Sequence, residues 1–292
     1  MVIAHAGLLS RWTFPAALAA LTEAAEWLEA HGCTPIVEIE SANAGGLGHR
    51  WRTATKEALP AAVDVVVAFG GDGTLLEAAS VVAHSPADPP LLGVNLGHLG
   101  FLTEVSRAEM IASLDAVIAG RSQTETREML AGRVTRAGQT LANHLALNDV
   151  VLTRGALSRM IEVVVAVDGQ PVCQVKADGI IVATATGSTA YNLSAGGPIV
   201  HPSVDAFLLT PIAPHTLTNR PLVLPASARL ELRPVIEPQS EIVLTFDGQY
   251  GVPLDTGDVI DIARAPRRVR FVRTSSRTHF DMLREKLKWG NS

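Results

Sequence analysis

Residues 63–78 read Val-Asp-Val-Val-Val-Ala-Phe-Gly-Gly-Asp-Gly-Thr-Leu-Leu-Glu-Ala. The run Val63–Phe69 carries no apolar–polar alternation, as expected for a strand buried on both faces of a parallel sheet. It meets a turn of three glycines and one acid, and the spacing predicts a helix from about Thr74. Gly70, Gly71 and Gly73 let the backbone bend sharply and approach a ligand closely. The unpaired N–H groups of the helix start point back at the same spot, where an anion can sit. Asp72 stands beside that spot as a base, as a metal ligand, or as a plain N-cap. No Lys-Ser/Thr follows the glycines, and Leu76 stands where the third glycine of a dinucleotide fingerprint belongs. Both common nucleotide loops are therefore excluded.

The rest of the first ~120 residues supports an α/β layer. Residues 14–31 are rich in Ala, Leu and Glu, with Thr13 and Pro15 at one end and Gly32 at the other, which are helix start and stop signals. Ile36–Ile39 and Leu91–Asn95 read as strands, and residues 41–49 read as a mobile loop. Ser106 and Glu109 form a capping box ahead of a helix ending near Gly120. Beyond residue 121 short β-branched runs take over: Val150–Thr153, Ile161–Val167, Gly179–Thr184, Leu222–Leu224, Ile242–Phe246, Val259–Ile262 and Val269–Val272. Turns such as Asp168-Gly169 and Asp247-Gly248 separate them, so this part is expected to be mostly antiparallel. His279–Trp289 returns to helical spacing. The expected division is an α/β domain over 1–120 with 275–292, and a β-rich domain over 121–274.

Composition closes several classes. With 47% hydrophobic and 18% charged residues the chain can build real cores. A net charge of −5 argues against a nucleic-acid partner, since such proteins carry a basic excess. No apolar run approaches the length of a membrane span. Met1-Val2-Ile3-Ala4-His5 lacks a basic export signal, and two distant cysteines, Cys33 and Cys173, form no disulfide framework. A reducing cytoplasm is the expected home.

Three further segments carry polar groups at strand ends. Gly93-Val94-Asn95-Leu96-Gly97-His98-Leu99-Gly100-Phe101-Leu102 follows a strand, and in a wound sheet its loop shares a crevice with Gly70–Thr74; the glycines also fit simple turns. Asp178 opens the strand that ends in Thr184-Ala185-Thr186-Gly187-Ser188-Thr189-Ala190-Tyr191-Asn192-Leu193-Ser194-Ala195-Gly196-Gly197-Pro198. Small residues there let a flat ring lie on the backbone, and hydroxyls can bond to sugar and base edges. Leu147-Asn148-Asp149 leads into an apolar strand, either as an Asx turn or as a ligand-facing pair. Pro214–Pro221 reads as a structural corner, with Arg220 bonding to carbonyls.

Taken in order, Gly70-Gly71-Asp72-Gly73-Thr74, Asn95-x-Gly97-x-Leu99-Gly100-Phe101-Leu102, Asn148-Asp149 and Thr184-x-Thr186-Gly187-Ser188-Thr189-Ala190-Tyr191 with Ser194–Pro198 resemble the NAD kinase family. Pro214-His215-Thr216-Leu217, Arg220-Pro221-Leu222-Val223 and the closing Phe280-x-x-Leu283-x-x-Lys286-Leu287-x-Trp289-Gly290 resemble it too. The resemblance runs from about residue 64 to the end. It implies phosphoryl transfer from ATP to the 2′-hydroxyl of the adenosine ribose of NAD, giving NADP. It implies Asp72 as general base and Gly70, Gly71, Gly73 and Thr74 as the phosphate-donor loop. It implies an NAD site of Asp72, Gly73, Asn148, Asp149, Arg159, Lys176, Asp178, Thr189, Ala190, Tyr191, Asn192, Leu193, Ser194 and Gln249. A divalent cation such as Mg²⁺ is implied with ATP, no protein ligand being assigned to it, and a homodimer or homotetramer joined through the β-rich domain. Lipid kinases share the glycine–acid loop, but the polar Thr184–Ser194 segment suits a nucleotide better; a nucleotide-sensing module without turnover would not need Asp72. Three positions depart from the family pattern. Ala185 replaces its usual proline, Asp149 its usual glutamate, and Glu77 stands where some members carry a basic residue, which argues against polyphosphate as donor.

Overall fold

The computed structural model describes residues 3–97, 99–155, 160–216, 218–236, 241–274 and 277–289. His98, Arg159 and Leu217 lie outside them. The chain divides into two units, Met1–Thr126 with Val269–Ser292, and Arg127–Arg268.

In the first unit the strands are β1 His5–Ser10, β2 Thr34–Glu38, β3 Arg52–Ala54, β4 Val65–Gly70, β5 Leu91–Asn95, β6 Val105–Ser106, β7 Gln123–Arg127 and, from the far end of the chain, β20 Val269–Arg273. Among the described residues they form one sheet ordered β3-β2-β1-β4-β5-β20-β7, with β6 attached to β5. β1, β4 and β5 pair in parallel, and every residue of β4 and β5 is buried, which is why these strands show no alternation. The helices are α1 Pro15–Ala30, α2 Ile39–Gly45, α3 Asp72–His84, α4 Met110–Ile118 and, near the end of the chain, α6 His279–Leu287. The core gathers Leu8, Leu21, Val37, Val67, Phe69, Val94 and Leu114. α1 opens with Pro15 in its first turn and no side-chain cap, so Thr13 plays no capping part. The expected box of Ser106 and Glu109 caps the turn entering α4, and Gly120 follows with φ +66°.

The segment 41–49 expected to be a loop differs. Most of it belongs to α2, because the Glu38 carboxylate accepts the N–H groups of Glu40 (2.9 Å) and Ser41 (2.8 Å) and starts a helix there. A second difference concerns the boundary between units. β7 and β20 join the parallel sheet, although their residues were expected in the β-rich domain. Strand propensity announces a strand and leaves its sheet unspecified.

The second unit carries β8 Leu130–Arg136, β9 Gln139–Ala146, β10 Asp149–Arg154, β11 Ile161–Val167, β12 Gln170–Ala177, β13 Gly179–Thr184, β14 Ala206–Ile212, β15 Leu222–Pro225, β16 Leu230–Val235, β17 Ile242–Phe246, β18 Tyr250–Leu254 and β19 Val259–Arg264, with a single helical turn α5 at Tyr191–Ser194. They form two sheets, β15-β14-β13-β10-β17-β18 and β12-β11-β16-β19-β8-β9, with antiparallel neighbours. Inner faces from both sheets share one core that includes Val134, Val150, Val163, Val182, Phe207, Leu232 and Ile260. The other face of β10 and β13, with Val151, Ile181 and Ala183, is covered by Ala195 and Val200. This double burial explains why these two strands read as continuous apolar runs. The Asp168-Gly169 and Asp247-Gly248 turns carry positive φ at both residues, as tight hairpins require.

Candidate active site

In the first unit, β4 delivers the chain to Gly70 and α3 begins at Asp72 with Gly71 as its N-cap. Asp72 is therefore the first helical residue and not the cap. A Cβ on Gly70 would lie 2.2 Å from Thr74 Oγ1, so the tightness of this turn forbids a side chain there.

The Asp72 carboxylate turns away from its own helix and toward the segment after β5. Its Oδ1 accepts the N–H groups of Leu102 (3.1 Å) and Thr103 (3.0 Å) and the Thr103 hydroxyl (2.9 Å). Its Oδ2 accepts one N–H, from Phe101 at 2.8 Å. A carboxylate offers about four lone-pair sites, so Oδ2 is the oxygen with capacity left. Gly100 makes the approach possible, since a Cβ there would stand 1.8 Å from Asp72 Oδ1. Asn95 completes the arrangement by donating through Nδ2 to Thr103 Oγ1 (2.7 Å) and accepting the Gly97 N–H (2.8 Å). The two glycine segments thus meet as their strand-end positions imply. Thr103 was missed by sequence reading.

Beside the glycine turn lies a cavity of about 390 Å³, walled by Ser10, Arg11, Thr13, Gly71, Gly73 and Thr74. Trp12, Glu40, Lys56 and Glu77 complete it. Lys56 donates to Glu77 at 2.5 Å and lies 3.9 Å from Glu40. Partial burial lowers the Lys56 pKa, but the bond to Glu77 and the nearby acids outweigh it and leave the ammonium more firmly charged than usual. Arg11 and Lys56 carried no signal in the sequence, because the cavity is assembled from β1, α2, β3 and α3.

In the second unit, Asn148-Asp149 and the hydroxyl-rich loop are built into one another. The Thr184 hydroxyl donates to the Leu147 carbonyl (2.6 Å) and accepts the Gly187 N–H (3.0 Å). The Thr184 N–H donates to the Asn148 carbonyl at 2.9 Å. A Cβ on Gly187 would sit 2.1 Å from that carbonyl oxygen, so Gly187 is fixed by contact. The Asx turn expected at Asn148 is replaced by an acid from elsewhere. Asp247 accepts the N–H groups of Leu147 (2.8 Å), Asn148 (2.7 Å) and Asp149 (3.0 Å). The hairpin turn had shown only that Asp247 bends the chain. Burial, followed by the Asp247 charge, pushes the Asp149 carboxyl up to about 7. Burial also raises Asp247, against the three N–H groups that pull it down.

Tyr191 is 44% exposed, which leaves its ring face open to a planar ligand. Thr189, Ala190 and Leu193 are half-buried around it, and Ser194 is exposed. Asn192 faces inward. Its side chain is fully buried, its amide donates to the Ser188 (3.0 Å) and Pro198 (3.1 Å) carbonyls, and its oxygen accepts the Thr210 hydroxyl (2.7 Å). It anchors the loop, leaving only its backbone for a ligand. Gln249 is exposed in the Asp247 turn.

Lys176 and Asp178 lie at the other end of β13 from Thr184–Ser194. At ~3.4 Å per residue the length of that strand separates the two groups by roughly 17 Å. Asp178 is paired with Arg154 Nε at 2.7 Å, and Lys176 is exposed on β12. Within the unit these two are not brought together with Tyr191.

The matched families agree with the geometry. Residues 15–122 match the model of the ATP-NAD kinase N-terminal domain and residues 147–274 that of the ATP-NAD kinase C-terminal domain. A protein called NAD kinase from Citrifermentans bemidjiense is 44% identical over 282 residues, covering 94% of this chain and 95% of its own length. One of the same name from Geobacter sulfurreducens is 45% identical, covering 92% and 93%. Among solved structures, yeast NADH kinase complexed with NADH superposes with a TM-score of 0.90 at 28% identity, covering all of this chain and 89% of that one. An NAD kinase from Archaeoglobus fulgidus in complex with ATP superposes with a TM-score of 0.73 at 27% identity, covering 97% and 98%. With both domain models matched and relatives alike over nearly the whole length, this chain belongs to the ATP-NAD kinase family.

Proposed function

We propose that this chain transfers the γ-phosphoryl group of ATP to the 2′-hydroxyl of the adenosine ribose of NAD, giving NADP, with Asp72 as the general base. The observation that carries the base is the asymmetry of its carboxylate. Three donors fix Oδ1 while Oδ2 holds one, so Oδ2 is the atom that takes the ribose proton as the oxygen attacks phosphorus. A ribose hydroxyl is a weak nucleophile, and a positioned base typically contributes about 10²–10⁴-fold. The rest comes from alignment and charge neutralisation.

The donor phosphates belong in the cavity beside Gly71, Gly73 and Thr74, where the start of α3 and Arg11 attract anions. Lys56 is already shared between Glu40 and Glu77, so a chain of further phosphates gains little from it, and ATP is the donor the cavity favours over polyphosphate. Among the described residues no group of three His, Cys, Asp or Glu could cage a metal. Mg²⁺ would arrive as part of the donor, since it keeps its waters and binds chiefly through the phosphates. When bound it neutralises phosphate charge.

NAD belongs against Asn148, Asp149 and Thr189–Ser194 of the second unit, with the adenine or nicotinamide ring on Tyr191 and with Gln249 as a further contact; Gly73 is assigned by family resemblance alone. Arg159 is assigned by family resemblance alone. The separation of Lys176 and Asp178 from Tyr191 supports a homodimer or homotetramer in which they serve the NAD of a second copy. Exposed Leu222 and Val223 on the edge strand β15 suit such a contact. No helix among the described residues is long and apolar enough to cross a membrane, and both cysteines are free, in keeping with a reducing cytoplasm.

The test is purified protein with NAD, ATP and Mg²⁺, read as NADP formed, with polyphosphate and NADH in parallel arms. NADP formation from ATP is expected; its absence, with neither dinucleotide raising the melting temperature, overturns the assignment.

A further inference from the structure

The Asp72 carboxylate is aimed by the segment Phe101–Thr103, which the sheet holds from one side through the Asn95 amide at the end of β5, bonded to Thr103 Oγ1 at 2.7 Å. The strand after that segment, β6, is two residues long and, among the described residues, pairs only with the end of β5. A second hold comes from the far end of the chain. Arg273, at the end of β20, makes a short ion pair with the Glu104 carboxylate and lies 3.6 Å from Glu125. It also donates to the Arg277 carbonyl at 2.6 Å. Arg277 donates to the Glu104 carbonyl at 3.1 Å and lies 3.5 Å from Glu109, the acid that caps the entrance to α4. On α6, Lys286 Nζ stands 5.9 Å from the centre of the Phe101 ring. Phe101 is the residue whose N–H faces Oδ2, the oxygen assigned to take the proton.

We propose that Arg273 and Arg277 are positioning residues for the phosphoryl transfer. They clamp Glu104 and so keep the three N–H groups of Phe101–Thr103 on the Asp72 carboxylate. The Glu104 and Arg273 side chains are 12% and 20% exposed, and a paired guanidinium so sheltered from water is costly to remove and holds its partner firmly. The inference rests on Asp72 being the base. It gives the closing segment a task beyond packing, because a misplacement of about 1 Å at a reacting group lowers turnover by about 10²-fold.

A double-mutant cycle tests it on the full chain, with kcat and KM measured for Asp72→Asn, Arg273→Ala and the pair, all well below each variant's melting temperature. Arg273→Ala is expected to lower kcat about tenfold or more while KM for NAD and for ATP stays within about threefold. In the Asp72→Asn background the same change is expected to cost less than about twofold, because a clamp that acts through Asp72 has nothing left to aim. Should Arg273→Ala prove too unstable, Arg273→Lys and Arg277→Gln enter the same cycle, and Lys at 273 is expected to recover part of the lost kcat. Equal losses in both backgrounds would overturn the positioning role while leaving the base assignment intact. Normal turnover in Asp72→Asn alone would overturn the base assignment instead.

Discussion

Replacing Asp72 by asparagine separates its two tasks, and the hydrogen bonds set the size of each effect. Oδ1 faces three donors and Oδ2 faces one. Asparagine must turn its carbonyl to the three and its amide to the Phe101 N–H, since the opposite choice sets the amide against all three. One backbone N–H then meets another donor. Leaving such a group unsatisfied costs about 1–3 kcal/mol. At about 2–4 °C per kcal/mol for a domain of this size, the melting temperature should fall by roughly 2–12 °C. The kinetic effect should be larger and of a different kind. Loss of a general base removes about 10²–10⁴-fold in kcat, equivalent to about 3–5 kcal/mol of barrier at ~1.4 kcal/mol per decade. Affinity for NAD, measured by calorimetry at a temperature where the variant is fully folded, should stay within about threefold. Turnover is read by coupling NADP to an NADP-specific dehydrogenase. A variant that keeps turnover within about threefold of the parent would remove Asp72 as the base, whatever its stability.

Asp247→Asn should act the other way, raising KM for NAD while changing kcat little, because it positions Asn148 and Asp149, which are proposed to bind NAD in the ground state; a selective loss of kcat in steady-state assays would contradict that. Tyr191→Ala should raise KM for NAD by about 5–150-fold, the ~1–3 kcal/mol of a base stacked on an aromatic ring, and a kcat effect larger than the KM effect would argue against stacking. Asp149 stays protonated in the folded chain up to about pH 7, against an unfolded value of 3.8, so the folded state binds more protons between these limits and stability falls as pH rises through them. Asp149→Asn removes that penalty, with at most about 4 kcal/mol for a shift of this size, and thermal melts at pH 5 and pH 8 should show the gain over the parent growing with pH; a constant gap would refute the buried, protonated acid. Ala185 has φ −57° and ψ −35°, its N–H donates to no group among the described residues, and Thr184 before it is extended, so Ala185→Pro should stabilise by about 0.4–1 kcal/mol, whereas a lower melting temperature would show that the ring does not fit.

Where the sequence was informative, the relevant physics was local. The glycines around Asp72 are adjacent to the strand and helix they join, so their spacing alone places a carboxylate at a helix start. The capping box at Ser106 and Glu109 is local in the same sense. What stayed hidden depends on which strands become neighbours. Thr103 meets Asp72 across 31 positions and Asp247 meets Leu147 across 100, and no periodicity records either contact. The family resemblance implies Asn192 as a ligand contact and says nothing of its side chain, which the Thr210 hydroxyl from β14 draws inside. Residues 41–49 looked loose because of their glycines and small polar residues, and the helix start set by Glu38 gave no signal because glutamate is not a usual N-cap.

Asp72 and Asp247 sharpen the point, since each carboxylate gathers three consecutive backbone N–H groups from a distant segment. A nest of this kind is a way of fixing a loop, and by itself it does not identify a base. What differs is the surrounding structure. Asp247 sits in a hairpin turn and all three of its donors lead into a buried strand. Asp72 opens a helix whose first turn walls a cavity of about 390 Å³. The same side chain in the same kind of nest fastens a strand entry at Asp247, and at Asp72 it stands at a helix start that walls a cavity, which is why the base is proposed there. The sequence distinguishes the two only through the glycines that keep the space around Asp72 open.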